Sequence, residues 1–187
     1  MTLLEMKKKV LELIEEISTD ETALTSDIDI AAKINTVINQ VQFELARIKK
    51  IPAYSEEVVT ASEPFDLTDL ARFYQLRTIR IAEEDGEETP TVEIIDNLAI
   101  FSKDCTATFY YYVYPKTIDE NTSDDYKFEL SADALEVMPY GVAADILKSD
   151  VSANYGQVYS NRYETMLQRL DPRYASGMFY VEGGLDV

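Results

Sequence analysis

The spacing of apolar residues changes twice along this chain, and no other feature constrains the fold as strongly. From Leu3 to Ile48 they recur at steps of three and four. From Tyr54 to Tyr114 the step falls toward two, and from Ser131 to Leu170 it returns to three and four. A 3.6-residue period puts apolar side chains on one face of a helix, and a period of two puts them on one face of a strand. The chain therefore reads as an α+β protein. Its N-terminal and C-terminal helices form a bundle, residues 1–52 with 131–172, around an inserted antiparallel β region at 53–130. An extended arm follows at 173–187.

The first helix is expected over 3–17, with Leu3, Met6, Val10, Leu13, Ile14 and Ile17 on one stripe and Leu4 and Leu11 widening it. A polar loop, Ser18 to Ser26, leads to a second helix near 27–49. Ser26 and Asp29 there resemble a capping box. Ile30, Ile34, Val37, Ile38, Val41, Leu45 and Ile48 carry its stripe. Arg47, Lys49 and Lys50 suit its negative C-terminal end, and Ile51-Pro52 stops it.

Strands are expected at Tyr54–Thr60 and Phe73–Ala82. In the second, Leu76, Thr78, Arg80 and Ala82 alternate with Arg77, Ile79 and Ile81. Between them, Phe65–Leu70 reads as a turn with a short helix. An acidic tip at Glu83–Glu88 carries the Asp-Gly turn signal, so Thr91–Ile95 reads as the returning strand and Asn97–Phe101 as its continuation. The clearest strand is Cys105–Tyr114. Cys105, Ala107, Phe109, Tyr111 and Val113 share one face, and Thr106, Thr108, Tyr110, Tyr112 and Tyr114 the other. That pattern predicts a central strand with one face on the helices. After a polar loop, Ser131 is expected to cap a short helix and Pro139 to open the next. The final helix carries Tyr155, Val158, Tyr159, Tyr163, Met166, Leu167 and Leu170, and Asp171-Pro172 ends it.

Chemistry is restricted by what is missing. The chain has no histidine and one cysteine, Cys105. Ser-His-Asp and Cys-His catalysis and His/Cys zinc sites are thereby excluded, as is an internal disulfide. Carboxylate, lysine and tyrosine chemistry remain. Asp119, Asn121 and Ser123 resemble the start of a calcium loop. Its sixth position is Asp124 rather than glycine, and its twelfth is Leu130 rather than glutamate. Asp27 and Asp29, with Asp20 and Glu21 nearby, sit in a loop and first helical turn, where acids are favoured without catalysis. No glycine-rich phosphate loop occurs. The tyrosines, Tyr110, Tyr111, Tyr112 and Tyr114 with Tyr140, Tyr155, Tyr159, Tyr163, Tyr174 and Tyr180, fit a core or an interface. Base stacking would need a basic groove beside them, and Lys103 and Lys116 supply little. No enzyme activity, cofactor or metal is expected.

The charge of −18, from 17 basic and 35 acidic residues, works against binding nucleic acid or an anionic membrane. No apolar run is long enough to span a bilayer, and the N-terminal residue order is wrong for a secretory signal, so the expected place of work is a cytoplasm. The arm Ser176–Val187 is apolar yet glycine-punctuated. Met178, Phe179, Tyr180, Val181 and Leu185 read as anchors that dock on another subunit, with self-docking as the alternative, and Gly183 and Gly184 let the backbone bend or lie close.

Four places give the chain a family likeness. These are the two-helix start with Ala31–Asn39, the strand end Tyr112–Lys116 before an acidic loop, Met138–Leu147 leading through Asn154-Tyr155 to Arg162-Tyr163-Glu164, and the arm with Glu182-Gly183-Gly184. In this order and texture the chain resembles the head–tail connector proteins (adaptor or head-completion proteins) of tailed bacteriophages. The inserted β region is larger than in the simplest members. The resemblance implies a structural protein of the virion neck, made in the host cytoplasm, that forms a homo-oligomeric ring of about twelve copies. Its partners would be the portal protein and a downstream neck or tail protein, with DNA passing through the channel without specific binding and no membrane involved. The family's arms commonly reach into the portal, and a twelve-residue arm spans roughly 40 Å when extended. Alternatives are another tail-completion or stopper protein, or an acidic host-directed binding protein that mimics DNA.

Overall fold

A computed structural model of the chain describes residues 1–18, 23–81, 89–148 and 153–170. It has the α+β fold that the periodicity implies. Helices α1 (Leu3–Leu13) and α2 (Ile28–Ile48) precede strands β1 (Ile51–Val59), β2 (Phe65–Asp66), β3 (Phe73–Ile81), β4 (Val92–Ile95), β5 (Leu98–Phe101) and β6 (Cys105–Val113). Helices α3 (Ala132–Leu147) and α4 (Ala153–Arg169) follow. A single 3-10 turn, Leu67–Asp69, joins β2 to β3. One continuous apolar core runs through the helices and both sheets, from Leu3 and Ile38 to Phe109 and Val142.

The helix α1 stops four residues earlier than its apolar stripe suggested. A capping box opens it: Thr2 N–H donates to Glu5 at 2.8 Å, and Glu5 N–H donates to the Thr2 hydroxyl at 3.2 Å. At the other end Glu15 takes a left-handed φ of 61°. The Glu16 N–H then reaches back to Leu11 O at 2.9 Å and the Glu15 N–H to Glu12 O at 3.3 Å. This is the Schellman pattern with glutamate at the usual glycine position. The chain turns away there, so Ile17 is exposed. Helix α2 is capped by Asp27, whose carboxylate accepts the Ile30 N–H at 2.9 Å, and not by Ser26. Its expected stripe is buried from Ile30 to Leu45, with Ile48 half-buried.

The larger sheet has the order β1-β6-β3, all antiparallel, so β6 is central as its two-sided pattern predicted. The strand β1 begins at once after α2, with Pro52 on an edge strand where its missing N–H is tolerated. In β3 the simple alternation fails. Two bulges, between Phe73 and Gln75 and between Leu76 and Thr78, each reverse the phase of the strand. As a result Phe73, Leu76, Ile79 and Ile81 all pack on the core, although Leu76 was expected on the opposite face from Ile79 and Ile81.

The strand β4 does not return to β3. It pairs with β5 across a turn where Asp96 has a φ of 54°, and the second sheet has the order β2-β5-β4. The acidic tip at Glu83–Glu88 lies outside the described residues. This small sheet meets the inner face of β6, and Phe43 of α2 stacks on Tyr114 just past the strand's end with centroids 5.7 Å apart. Phe109 stacks on Phe65 with ring centroids 4.8 Å apart and meets Phe101 edge-on at 6.2 Å.

Where two helices were expected at Ser131 and Pro139, α3 is continuous, with Pro139 buried inside it. Ser131 occupies the N-cap position without a side-chain cap bond. Proline costs an interior helix roughly 3 kcal/mol. Here burial on nearly every side, including Leu135, Met138, Val142, Ala143, Ile146 and Leu147, outweighs that cost. On α4 the stripe is narrower than expected. Tyr159, Tyr163, Met166, Leu167 and Leu170 face inward, whereas Tyr155 and Val158 are exposed.

Candidate functional site

The helical hairpin holds the residues that carried the family likeness. Gly141 lies under the ring of Tyr163, so a Cβ there would sit 2.8 Å from Cε2 of that ring. The Tyr163 hydroxyl donates to Glu44 Oε2 at 2.8 Å, which ties α4 to α2. Burial, and then the Glu44 carboxylate, push the Tyr163 hydroxyl far above the ordinary tyrosine range. Next to it, the Arg162 guanidinium lies 4.8 Å above the Tyr140 ring. The Tyr159 hydroxyl donates to Leu13 O at the end of α1. Arg162-Tyr163 and Tyr140-Gly141 are thus two facing halves of one packing motif.

The acidic loop after β6 is a strap across the first two helices. Asn35, Asn39 and Gln42 stand one turn apart on α2 and bind its backbone. Asn39 Nδ2 donates to Ile118 O at 2.7 Å and its Oδ1 accepts the Ile118 N–H at 2.8 Å. Gln42, fully buried, donates from Nε2 to Asn39 Oδ1 at 2.7 Å and to Lys116 O at 3.0 Å. Asn35 Nδ2 reaches Asp119 O at 3.3 Å. Further along, Tyr126 O and Asp124 O accept the Leu3 and Leu4 N–H groups at 2.9 and 3.1 Å, satisfying the first turn of α1. Asp119 closes a local turn on Asn121 and Thr122, and Asp124 pairs with Lys7 at 3.3 Å. Among the described residues no three acidic or thiol side chains gather to hold a metal.

The charged candidates are similarly engaged in holding elements together. Arg72 makes a forked pair with Glu129 at 2.6 and 3.1 Å and also donates to Tyr114 O at 2.9 Å. Burial opposes ionisation of Glu129, but the Arg72 bonds and the Lys116 N–H hold its carboxyl below the usual range. Lys49 pairs with Asp133 at 2.6 Å, and its hydrogen bond lowers the Asp133 carboxyl. Lys50 donates to Gln75 at 2.7 Å and sits 5.1 Å from the Tyr112 ring centroid. Of the basic cluster, Lys49 and Lys50 therefore tie the α2 end to its neighbours, and Arg47 is exposed. Asp27 is spent as a cap, and Asp20 and Glu21 lie outside the described residues. Burial, then Asp104, raises the Cys105 thiol, which works against a reactive thiolate.

The predicted anchors Met178, Phe179, Tyr180, Val181 and Leu185 lie outside the described residues, as do Tyr174, Gly183 and Gly184. What the sequence pattern did not single out is the outer face of β1. Tyr54 is 75% exposed and Val58 84% exposed, four positions apart on the same side of the strand, with the exposed Glu56 between them. Tyr54 leans on Tyr110 of β6 with centroids 6.2 Å apart, and the Arg80 guanidinium lies 5.3 Å from the Tyr110 ring. A second exposed feature lies at the helical end. There Leu13, Ile14, Leu147, Tyr155 and Tyr159 line a cavity of about 340 Å³ rimmed by Glu15 and Glu16. The exposure of Tyr54 and Val58 was legible only in the phase of β1. No family model matches the chain, and neither does any curated protein.

Proposed function

We propose that this chain is a structural, non-catalytic component of a tailed-phage neck. In this reading, copies form a ring of about twelve below the portal. The ring extends the DNA channel and joins the head to a downstream neck or tail protein, and the C-terminal segment anchors one subunit on another. The observation that carries the reading is the element order. Two N-terminal helices and a C-terminal helical hairpin share one core, and a β region lies between them in sequence. The motif Gly141–Tyr163 and Tyr140–Arg162 in that hairpin supports it further, because it falls on the residues that carried the resemblance. The charge of −18 suits a channel wall that DNA passes without adhering. No helix among the described residues is long and apolar enough to cross a membrane.

The test is a deletion of residues 177–187. The shortened chain is expected to fold, by circular dichroism and thermal melting, yet fail to join portal-bearing heads in a reconstitution followed by electron microscopy. Normal incorporation of the shortened chain overturns the anchoring role. A full chain that does not associate with portal-bearing heads at all overturns the neck reading.

A further inference from the structure

The two edges of the larger sheet are not alike. The β3 edge is interrupted by two bulges and carries Arg77 and Arg80, devices that discourage strand pairing. The β1 edge stays in unbroken register with β6 from Ile51 to Val59. No strand among the described residues lies on its other side. Its outward row presents Tyr54, Glu56 and Val58 to solvent, with Tyr54 beside Tyr110 of β6. Two large apolar side chains, flanking one carboxylate, are thus exposed on the edge strand of a chain of charge −18. A long regular edge with exposed apolar residues is a template for another strand.

The chain supplies a segment of matching chemistry. The inward stripe of α4 is complete at Leu170, and residues 171–187 remain. Fully extended, that length reaches on the order of 55 Å. It contains Met178-Phe179-Tyr180-Val181, a run of large apolar residues rich in strand formers. Glu182 and Asp186 follow, and no lysine or arginine occurs after Arg173. We infer that this segment of a second copy adds as a strand along the free edge of β1. Its apolar side chains cover Tyr54 and Val58. Backbone bonds along the edge give affinity, and alternate side chains give register. Because the donor and acceptor surfaces differ, the contact is heterologous and propagates from copy to copy until the ring closes. The inference rests on the ring reading and supplies its subunit contact.

The experiment uses the full chain. Mass photometry and light scattering across a concentration series measure self-association, and hydrogen exchange measures protection of the β1 amides. Wild type is expected to associate, with β1 protection rising with concentration. Tyr54→Lys with Val58→Lys is expected to lower the association constant by about 30-fold or more, the scale of losing a central aromatic contact. Tyr54→Thr with Val58→Thr, which keeps strand propensity, is expected to act in the same direction with an unchanged melting temperature. Either of two results overturns the contact: β1 protection independent of concentration, which means the chain's own segment occupies the edge, or equal association of wild type and both variants. A wild type that stays monomeric throughout also overturns it. Deletion of 177–187 separates the two proposals. If the deletion blocks association and the β1 variants do not, the segment anchors elsewhere and the neck reading stands.

Discussion

Replacing Asn39 by alanine removes the centre of the strap and tests whether α2 holds the 116–119 backbone as described. Three hydrogen bonds are lost at once: Asn39 Nδ2 to Ile118 O at 2.7 Å, Ile118 N–H to Asn39 Oδ1 at 2.8 Å, and Gln42 Nε2 to the same Oδ1 at 2.7 Å. Each such bond contributes about 1 kcal/mol net, and a buried group left without a partner costs about 1–3 kcal/mol. Ile118 is buried, so its N–H and C=O have little access to water. Gln42 keeps its bond to Lys116 O at 3.0 Å and is only partly orphaned. The expected loss is about 3 kcal/mol, a fall of roughly 6–12 °C in melting temperature for a chain of this size. Asn35→Ala is the matched control, since it removes a single bond of 3.3 Å at a half-buried position. Its expected cost is below about 1 kcal/mol. Asn39→Asp keeps the acceptor for Ile118 N–H but turns a carboxylate oxygen toward Ile118 O, so it should cost at least as much as alanine near neutral pH. Urea unfolding followed by circular dichroism gives the differences. If Asn39→Ala costs no more than Asn35→Ala, the strap is not held by this side chain and the account of the 114–130 segment fails.

Gly141→Ala sets two effects against each other. Alanine is worth about 1 kcal/mol over glycine inside a helix, but overpacking a buried site costs about 1–3 kcal/mol. The Tyr163 ring, 2.8 Å from the new Cβ, is buried and fixed by Glu44, so overpacking should win by about 1 kcal/mol; in a Tyr163→Leu background the same change should stabilise. Stabilisation by Gly141→Ala in the otherwise native chain contradicts the packing described. The Glu129 carboxyl is held below its ordinary 4.5, so the unfolded chain binds that proton first as pH falls. Its stabilising contribution is therefore present above that range and lost as pH drops through the lowered folded value. Melting temperatures of wild type and Glu129→Gln should differ near neutral pH and draw together as acid protonates the folded Glu129; a gap independent of pH contradicts the Arg72 pairing.

The sequence shows a period, and a period decides element type better than element phase. The helices, the central place of β6 and the 3-10 turn after Phe65 follow from it. The misplacements arise where one residue changes the phase or satisfies a backbone group. Glu15 ends α1 from a left-handed conformation that glycine would have announced. Two bulges in β3 gather Phe73, Leu76, Ile79 and Ile81 on one face, at spacings that match neither period. Pro139 looked like a helix start because local propensity says so, yet burial around α3 overrides it. Likewise, Thr91–Ile95 reads as a partner for β3 because a turn signal precedes it, and strand pairing across sheets is not written in that signal. Among candidate sites, the spacing of Asn35, Asn39 and Gln42 was present in the sequence as a polar stripe on α2. Its partner, the backbone of 116–119, is far away along the chain and carries no side-chain signature.

The same features limit how readily the chain sticks to itself at random. Its charge of −18 makes like copies repel, so contact between them requires a specific gain at close range. The β3 edge is protected by bulges, and the β4–β5 pair ends in a short two-residue turn. Against that background Tyr54 and Val58 stand out, because strands that need only fold place such residues inward. A rigid support lies under them. β1 is pinned to β6 along its whole length, β6 is packed by Phe65 and Phe101, and Arg72 with Glu129 ties β6's end to the strap that α2 holds. An edge so supported loses little entropy when a strand is added, whereas a fraying edge would lose much of the gain to ordering. The scaffold and the exposed edge are therefore parts of one arrangement, in which the amide ladder on α2 supports the edge proposed above as the contact with a second copy.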